Sequence, residues 1–127
     1  MTEVLTRSKE RISKLGEVFT PTELVNEMLD ELPVEMWEDG KTFLDPTCGN
    51  GQFLVQVLKR KIQLKHKKTL SCIYGADIMD DNVAECKERL LSISGNTKAN
   101  REILETNIVC EDGLVYDYSF GTGLFEW

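Results

Sequence analysis

The stretch Thr42-Phe43-Leu44-Asp45-Pro46-Thr47-Cys48-Gly49-Asn50-Gly51-Gln52-Phe53-Leu54 decides the fold. A short apolar run, Thr42 to Leu44, stops abruptly at Asp45-Pro46, as a buried strand does on entering a loop. Gly49 and Gly51 then permit a tight turn. From Gln52 to about Leu64 the residues Phe53, Leu54, Val57, Leu58 and Ile62 recur with helical period. Strand, glycine turn and helix follow one another within about twenty residues, and the same order repeats downstream. Leu70 to Ala76 is rich in strand formers and closes on Asp77. Asp80 or Asp81 can cap a helix carrying Val83, Ala84, Arg89, Leu90 and Leu91, and Ser94-Gly95-Asn96 ends it. A shorter helix around Ala99 to Leu104 precedes Asn107-Ile108-Val109-Cys110, which runs into Glu111-Asp112-Gly113.

Upstream, Thr20, Pro21 and Glu23 are spaced as N-cap, first helical position and capping-box partner. Leu24, Val25, Met28, Leu29 and Leu32 continue at helical spacing until Pro33 stops the helix, and Glu3 to Leu15 is loosely helical. Strands separated by helices pair in parallel through crossovers, so the expectation is an α/β, Rossmann-like sheet of about three parallel strands with flanking helices. No repeat or Pro/Gly/Ser linker divides the chain, and residues 1–127 read as one domain. Residues 1–33 would be N-terminal helices, 41–118 the βαβαβ core and 119–127 an aromatic tail.

Composition bounds the function. The 127 residues carry 22 acidic and 15 basic side chains, a formal charge of -7, with 41% hydrophobic residues. That is the make-up of one ordinary globular domain, and the acidic excess argues against a protein that coats DNA unaided, because neutralised phosphates supply most non-specific affinity. No apolar run approaches the ~20 residues that a bilayer span requires, and Met1 to Glu10 is too polar for a secretion signal, so a cytoplasmic protein with no membrane contact is expected. Cys48, Cys72, Cys86 and Cys110 are widely spaced and His66 is the one histidine, which reads as packed thiols and no metal site. Lys59, Arg60, Lys61, Lys65, Lys67 and Lys68 form a basic run around His66. A solvated helix end, its cations suited to the C-terminal macrodipole, is the preferred reading over a phosphate-facing patch.

Three successive strands end on or beside an aspartate: Asp45, Asp77 and Asp112. In open parallel sheets the carboxyl ends of neighbouring strands line one crevice where ligands bind, so three carboxylates should converge there. The turn at Gly49 and Gly51 lacks the further glycine of a dinucleotide fingerprint, Leu54 standing in its place, and no GxxxxGK motif exists. Asp77, at the end of the second strand, suits the two hydroxyls of a ribose, since an ionised acid only accepts hydrogen bonds. Asp112 can accept from an exocyclic amino group such as the N6 of adenine. These parts fit a nucleoside without phosphate that carries positive charge.

Gly16-Glu17-Val18-Phe19-Thr20-Pro21, Phe43 to Phe53, Gly75-Ala76-Asp77-Ile78 and Cys110-Glu111-Asp112-Gly113-Leu114 together resemble the N-terminal part of the adenine-N6 DNA methyltransferases. The likeness is to those with a GxxFTP motif ahead of the cofactor loop, as in restriction-modification systems and phage-borne enzymes, and it covers about residues 14 to 118. It implies S-adenosylmethionine as cofactor. It further implies that Phe19, Thr20 and Pro21 close over the methionine moiety, with Thr20 near its carboxylate, and that Asp45, Thr47, Gly49 and Gly51 surround methionine and sulfonium. Asp77 would hold the ribose, Ile78 the adenine face, and Asp112 with the Gly113 amide the adenine edge.

The family's catalytic loop, Asp/Asn/Ser-Pro-Pro-aromatic after the fourth strand, has no counterpart: the prolines are Pro21, Pro33 and Pro46, no two adjacent, so no catalytic residue is assigned. The expectation is a methyltransferase sheet truncated before strand four, inactive alone. In the implied topology the first strand then offers an open edge, and open edges template pairing. A complementary methyltransferase chain, a second copy in a homodimer, or the segment from Tyr116 to Trp127 would cover it, and DNA would be engaged only with a partner. The competing reading is a non-catalytic S-adenosylmethionine-binding or interaction protein derived from such an enzyme. A different small-nucleoside enzyme is the third.

Overall fold

The three apolar runs become three short strands, β1 (Phe43–Asp45), β2 (Ile73–Asp77) and β3 (Ile108–Cys110), in the computed structural model, which describes residues 19–117. The expected helix over Glu3 to Leu15, the Gly16-Glu17-Val18 half of the first motif and the segment from Tyr118 to Trp127 lie outside the described residues. The strands form one parallel sheet in the order β1-β2-β3. Phe43 is level with Ile73, Asp45 and Ile108 are both level with Gly75, and Asp77 is level with Cys110. A hairpin cannot join parallel neighbours, so each connection carries helix. Here α2 (Gln52–Gln63) links β1 to β2, while α3 (Asp80–Ser94) and α4 (Lys98–Asn107) link β2 to β3; α1 (Thr22–Asp30) precedes the sheet and packs on α2. This is the open, three-stranded Rossmann-like arrangement expected from the sequence.

Side chains alternate across a strand, so residues level with one another or two apart share a face. Ile73, Gly75 and Asp77 therefore point to the same side of the sheet as Phe43, Asp45, Ile108 and Cys110. α2 lies on that side: a side chain at Gly75 would meet the Leu54 methyl. Tyr74, of opposite parity, instead shares a cavity with Ala99, Ile103 and Thr106 of α4. The core lies where α2 and α3 cross the sheet, with Leu54, Leu58, Ile73, Cys86, Leu90 and Ile108 essentially removed from water. Burial of each such side chain contributes roughly 1.5–3 kcal/mol.

Several local expectations shift. Thr20 is not the cap of α1: Pro21, with ψ near 147°, stands outside the helix at the cap position and Thr22 is its first residue. Leu24 and Met28 have the helical spacing of core residues but are about half exposed, leaving Val25 and Leu29 as the buried pair. Leu70 to Cys72 forms a 3-10 turn, closed by the Cys72 amide on the Thr69 carbonyl at 3.1 Å, so the second strand starts at Ile73. α4 is longer than its apolar spacing suggested because Thr97 caps it, its hydroxyl accepting the Asn100 amide at 3.1 Å.

The basic run is not a uniform solvated face. Arg60 reaches Asp30 at 2.8 Å and the Asn26 carbonyl at 3.0 Å, and its guanidinium lies 5.3 Å from the centre of the Trp37 ring. Lys61 is fully buried: its ammonium donates to the Lys41 carbonyl at 2.8 Å and lies 5.1 Å from the Phe43 ring centre. Burial holds its pKa below the ordinary lysine value. The Asp39 carboxylate accepts the Lys67 and Lys68 amides at 2.7 and 3.0 Å, bonds that keep its pKa below the usual range.

Candidate functional site at the strand tips

The carboxyl ends of β1 and β2 deliver Asp45 and Asp77 to one face of the sheet. Asp77 lies two residues, about 7 Å, further along the strand direction than the level of Asp45. Between them the chain after Asp45 folds back across β2. The Cys48 amide donates to the Ala76 carbonyl at 2.8 Å, and the Gly51 amide to the Cys48 carbonyl at 2.9 Å. Gly49 and Gly51 have φ of +54° and +94°, the left-handed region that disfavours other residues. Both are also close-approach positions. A Cβ on Gly49 would fall 2.8 Å from the Phe19 ring, and one on Gly51 would fall 2.9 Å from the Cys86 sulfur of α3. Phe19, ahead of α1, is thereby seated on the turn and buried.

Asp77 does more than end a strand. Its Oδ2 accepts the Gly49 amide at 3.0 Å, and its Oδ1 accepts the Met79 amide at 2.9 Å and the Asn82 side chain at 3.3 Å. One carboxylate therefore ties the glycine turn to the start of α3. The Asp45 Oδ1 accepts the Thr47 amide at 3.1 Å. Burial holds the Asp45 pKa above the ordinary carboxylate value; the Thr47 bond lowers it in part, and the charge of Asp77 raises it again. Two acids that feel each other's charge on one face favour a cationic ligand. Beneath the turn, the Cys48 thiol is pushed well up by its hydrogen bond with Cys86 and by burial, so it remains a neutral packing group.

The other expected site residues fall less tightly around this centre. Thr20 is half-buried and Pro21 exposed; Thr47 is exposed beside Asp45. Ile78 is 55% exposed just past Asp77, and its carbonyl accepts the Cys110 thiol at 3.7 Å. Asp112 and Gly113 lie beyond β3, and the Asp112 Oδ1 accepts the Leu114 amide of its own turn at 3.0 Å. Cys110, rather than Asp112, is the β3 residue level with Asp77. Thus the structure brings Phe19, Asp45, Gly49, Gly51 and Asp77 together, while the carboxylate of Asp112 is turned to its own loop.

Sequence reasoning passed over the polar residues that hold this centre. Gln52 and Asn50 are buried. The Gln52 amide nitrogen donates to the Thr20 carbonyl at 2.6 Å, and the Arg89 guanidinium of α3 donates to the Gln52 side-chain oxygen at 2.9 Å and the Asn50 carbonyl at 3.1 Å. Asn50 donates to Glu85 at 3.0 Å. The one local signal was polar residues at the mouth of a helix whose first two turns are mostly apolar. Beside the centre, Leu29, Phe43, Leu44, Phe53 and Val57 line an apolar cavity of about 250 Å³ whose charged residue is Asp45. It flanks β1, which among the described residues pairs with β2 alone. No group of three or more potential metal ligands occurs among the described residues, and no helix there is long and apolar enough to cross a membrane.

Comparison with known proteins agrees with this architecture. The Type II methyltransferase M.VspI of Vibrio sp. (strain 343) is 33% identical over 90 residues, which are 71% of this chain and 20% of that protein. The chain therefore spans about a fifth of the length of this relative. No solved structure matches. The N-6 DNA methylase family model matches residues 3–122, nearly the whole sequence, and the chain belongs to that family.

Proposed function

We propose that this chain is the S-adenosylmethionine-binding portion of an enzyme that methylates N6 of adenine in DNA. The observation that carries the reading is the Asp45–Asp77 pair on one sheet face, beneath a glycine turn on which Phe19 rests. The residue set fits this cofactor. The glycine turn lets the Phe19 ring and α3 close on it with no side chain between, and two carboxylates on one face suit the sulfonium and ammonium groups. Asp45, Thr47, Gly49 and Gly51 surround that end of the ligand, with Phe19, Thr20 and Pro21 closing over it. A carboxylate offers about four acceptor sites and Asp77 commits three, so it accepts one ribose hydroxyl directly and a second by releasing Asn82, its longest bond at 3.3 Å. Ile78 packs on the adenine face, and Asp112 reads its edge through the carboxylate oxygen that does not accept the Leu114 amide.

When bound, the cofactor supplies a methyl group on a positively charged sulfur. What the chain's own residues do is bind and orient that group. Activation of the target amine needs acceptors for its protons and an aromatic partner for the extruded base, and the sequence contains no Pro-Pro loop to provide them. The 127 residues alone therefore methylate no DNA in this reading. A complementary methyltransferase chain, or a second copy, pairs with the edge of β1 that no other strand covers among the described residues, and DNA is held only in that assembly because this chain is acidic. The alternative is a cofactor-binding or interaction protein without transfer activity, which shares the same site.

Titration calorimetry with S-adenosylmethionine and its demethylated product tests the shared site. The wild-type chain binds both, and Asp77→Ala loses well over ~1 kcal/mol of affinity, as removal of a hydrogen-bonded charged group requires. No binding by a folded wild-type chain, or unchanged affinity in the variant, overturns the reading.

A further inference from the structure

We infer that Gln52 is a positioning residue for cofactor binding, an amide clasp that locks the Phe19-Thr20-Pro21 segment onto the glycine turn, with Arg89 setting the sense of the amide. Its geometry stands alone; its consequence for ligand affinity rests on the cofactor reading above. Gln52 is the first residue of α2 and only 6% exposed. Its side chain bridges two partners of opposite kind: it donates to the Thr20 carbonyl at 2.6 Å and accepts from the Arg89 guanidinium at 2.9 Å. A guanidinium can only donate and a backbone carbonyl can only accept, so the group between them must accept on one side and donate on the other. A primary amide does this. An ionised Glu cannot donate, Met can do neither, and Asn is one methylene short.

The same Arg89 nitrogen donates to the Asn50 carbonyl at 3.1 Å, so one guanidinium holds both the glycine turn and the clasp. Arg89 thereby orients the amide oxygen towards α3 and its nitrogen towards Thr20. Three parts far apart in sequence are joined: the segment before α1, the turn after β1, and α3. Because the clasp engages the main-chain oxygen of Thr20, the Thr20 hydroxyl is left available to a ligand. It also keeps the Phe19 ring on Gly49, where the absent side chain leaves room for it.

The test compares wild type with Gln52→Glu and Arg89→Met, measuring amide hydrogen exchange without ligand, thermal midpoint, and S-adenosylmethionine affinity. Gln52→Glu keeps an acceptor for Arg89, now as an ion pair, but sets an oxygen against the Thr20 carbonyl. Expected is exchange several-fold faster over residues 19–25, exchange unchanged in α2 and α3, a midpoint within a few degrees of wild type, and affinity reduced about tenfold. Arg89→Met, which frees the amide to turn, moves the same readouts in the same direction by less. Unchanged exchange over residues 19–25 in Gln52→Glu, or acceleration spread evenly over the molecule, overturns the clasp. If wild type binds no S-adenosylmethionine, the cofactor reading fails while the exchange data still decide whether Gln52 holds the segment.

Discussion

Substituting Gly75 by alanine probes the seat of the whole site with one methyl group. Gly75 lies at the centre of the sheet, level with Asp45 on one side and Ile108 on the other, and faces α2. An added Cβ would stand 2.9 Å from the Leu54 Cδ1, 3.0 Å from the Cys48 Cβ and 3.2 Å from the Cys48 sulfur. The Leu54 methyl can swing away. The Cys48 Cβ cannot, because it is bonded directly to a backbone whose amide is pinned to the Ala76 carbonyl at 2.8 Å. The glycine turn must therefore lift by roughly half an ångström to restore ordinary carbon–carbon contact. Overpacking of this kind costs about 1–3 kcal/mol, offset by about 0.4–1 kcal/mol from the stiffer unfolded chain. At roughly 4 °C per kcal/mol for a chain of this size, the net loss lowers the melting midpoint by up to about 10 °C.

Because the lifted turn carries Gly49 and Gly51, S-adenosylmethionine affinity falls too, by about tenfold for a misplacement costing ~1.4 kcal/mol. Adding Leu54→Val to Gly75→Ala separates the two contacts. It relieves the flexible one and recovers part of the midpoint, but none of the affinity, because Cys48 still stands in the way. Scanning calorimetry and ligand titration on the three proteins read both quantities. A Gly75→Ala chain that melts within a degree of wild type and binds equally well would refute the placement of Cys48 over β2, and with it the geometry of the site.

Two of the perturbed charges, Asp45 and Lys61, give pH tests of opposite sign. Burial raises the Asp45 pKa above 3.8, so between these values the folded chain holds a proton that the unfolded chain has released, and stability falls as pH rises through that interval. Asp45→Asn, which keeps an acceptor for the Thr47 amide, melts higher than wild type near neutral pH, matches it below the ordinary carboxylate range, and binds the cationic ligand several-fold more weakly; a lower midpoint at neutral pH would count against a strained carboxylate. For Lys61 the folded pKa lies below 10.5, so the unfolded chain binds the extra proton and stability rises with pH across that alkaline window. Lys61→Met abolishes that rise in chemical denaturation, and an equal slope in both proteins would show that the wild-type lysine is not desolvated.

The strands could be placed to within a few residues because each apolar run stops at an acid or a proline, a purely local boundary. β2 was the exception. Leu70 and Cys72 are as apolar as the strand they precede, yet Thr69 closes a turn over them, and α4 packs beside that turn. The Thr20 cap failed for a related reason: the pattern was sound, but tertiary packing draws its carbonyl to Gln52 and shifts the helix start to Thr22. At the site, the meeting of Asp45 and Asp77 was legible from their places at the carboxyl ends of neighbouring strands. That Asp77 also clamps Gly49, 28 residues away, was not.

Sequence by itself determined the alternation of strand, turn and helix, the parallel sheet it requires, and the acids and glycines at the strand ends, because periodicity and turn chemistry act between near neighbours in the chain. Tertiary structure decided which polar groups meet. Arg89 and Gln52 are 37 positions apart, and Lys61 and Lys41 are 20 apart. Whether a lysine lies in water or under a ring, and whether a glutamine is a surface residue or a clasp, depends on strand register and on how α2 and α3 cross the sheet. Those quantities are set by the packing of the whole core and are encoded in no single stretch of it.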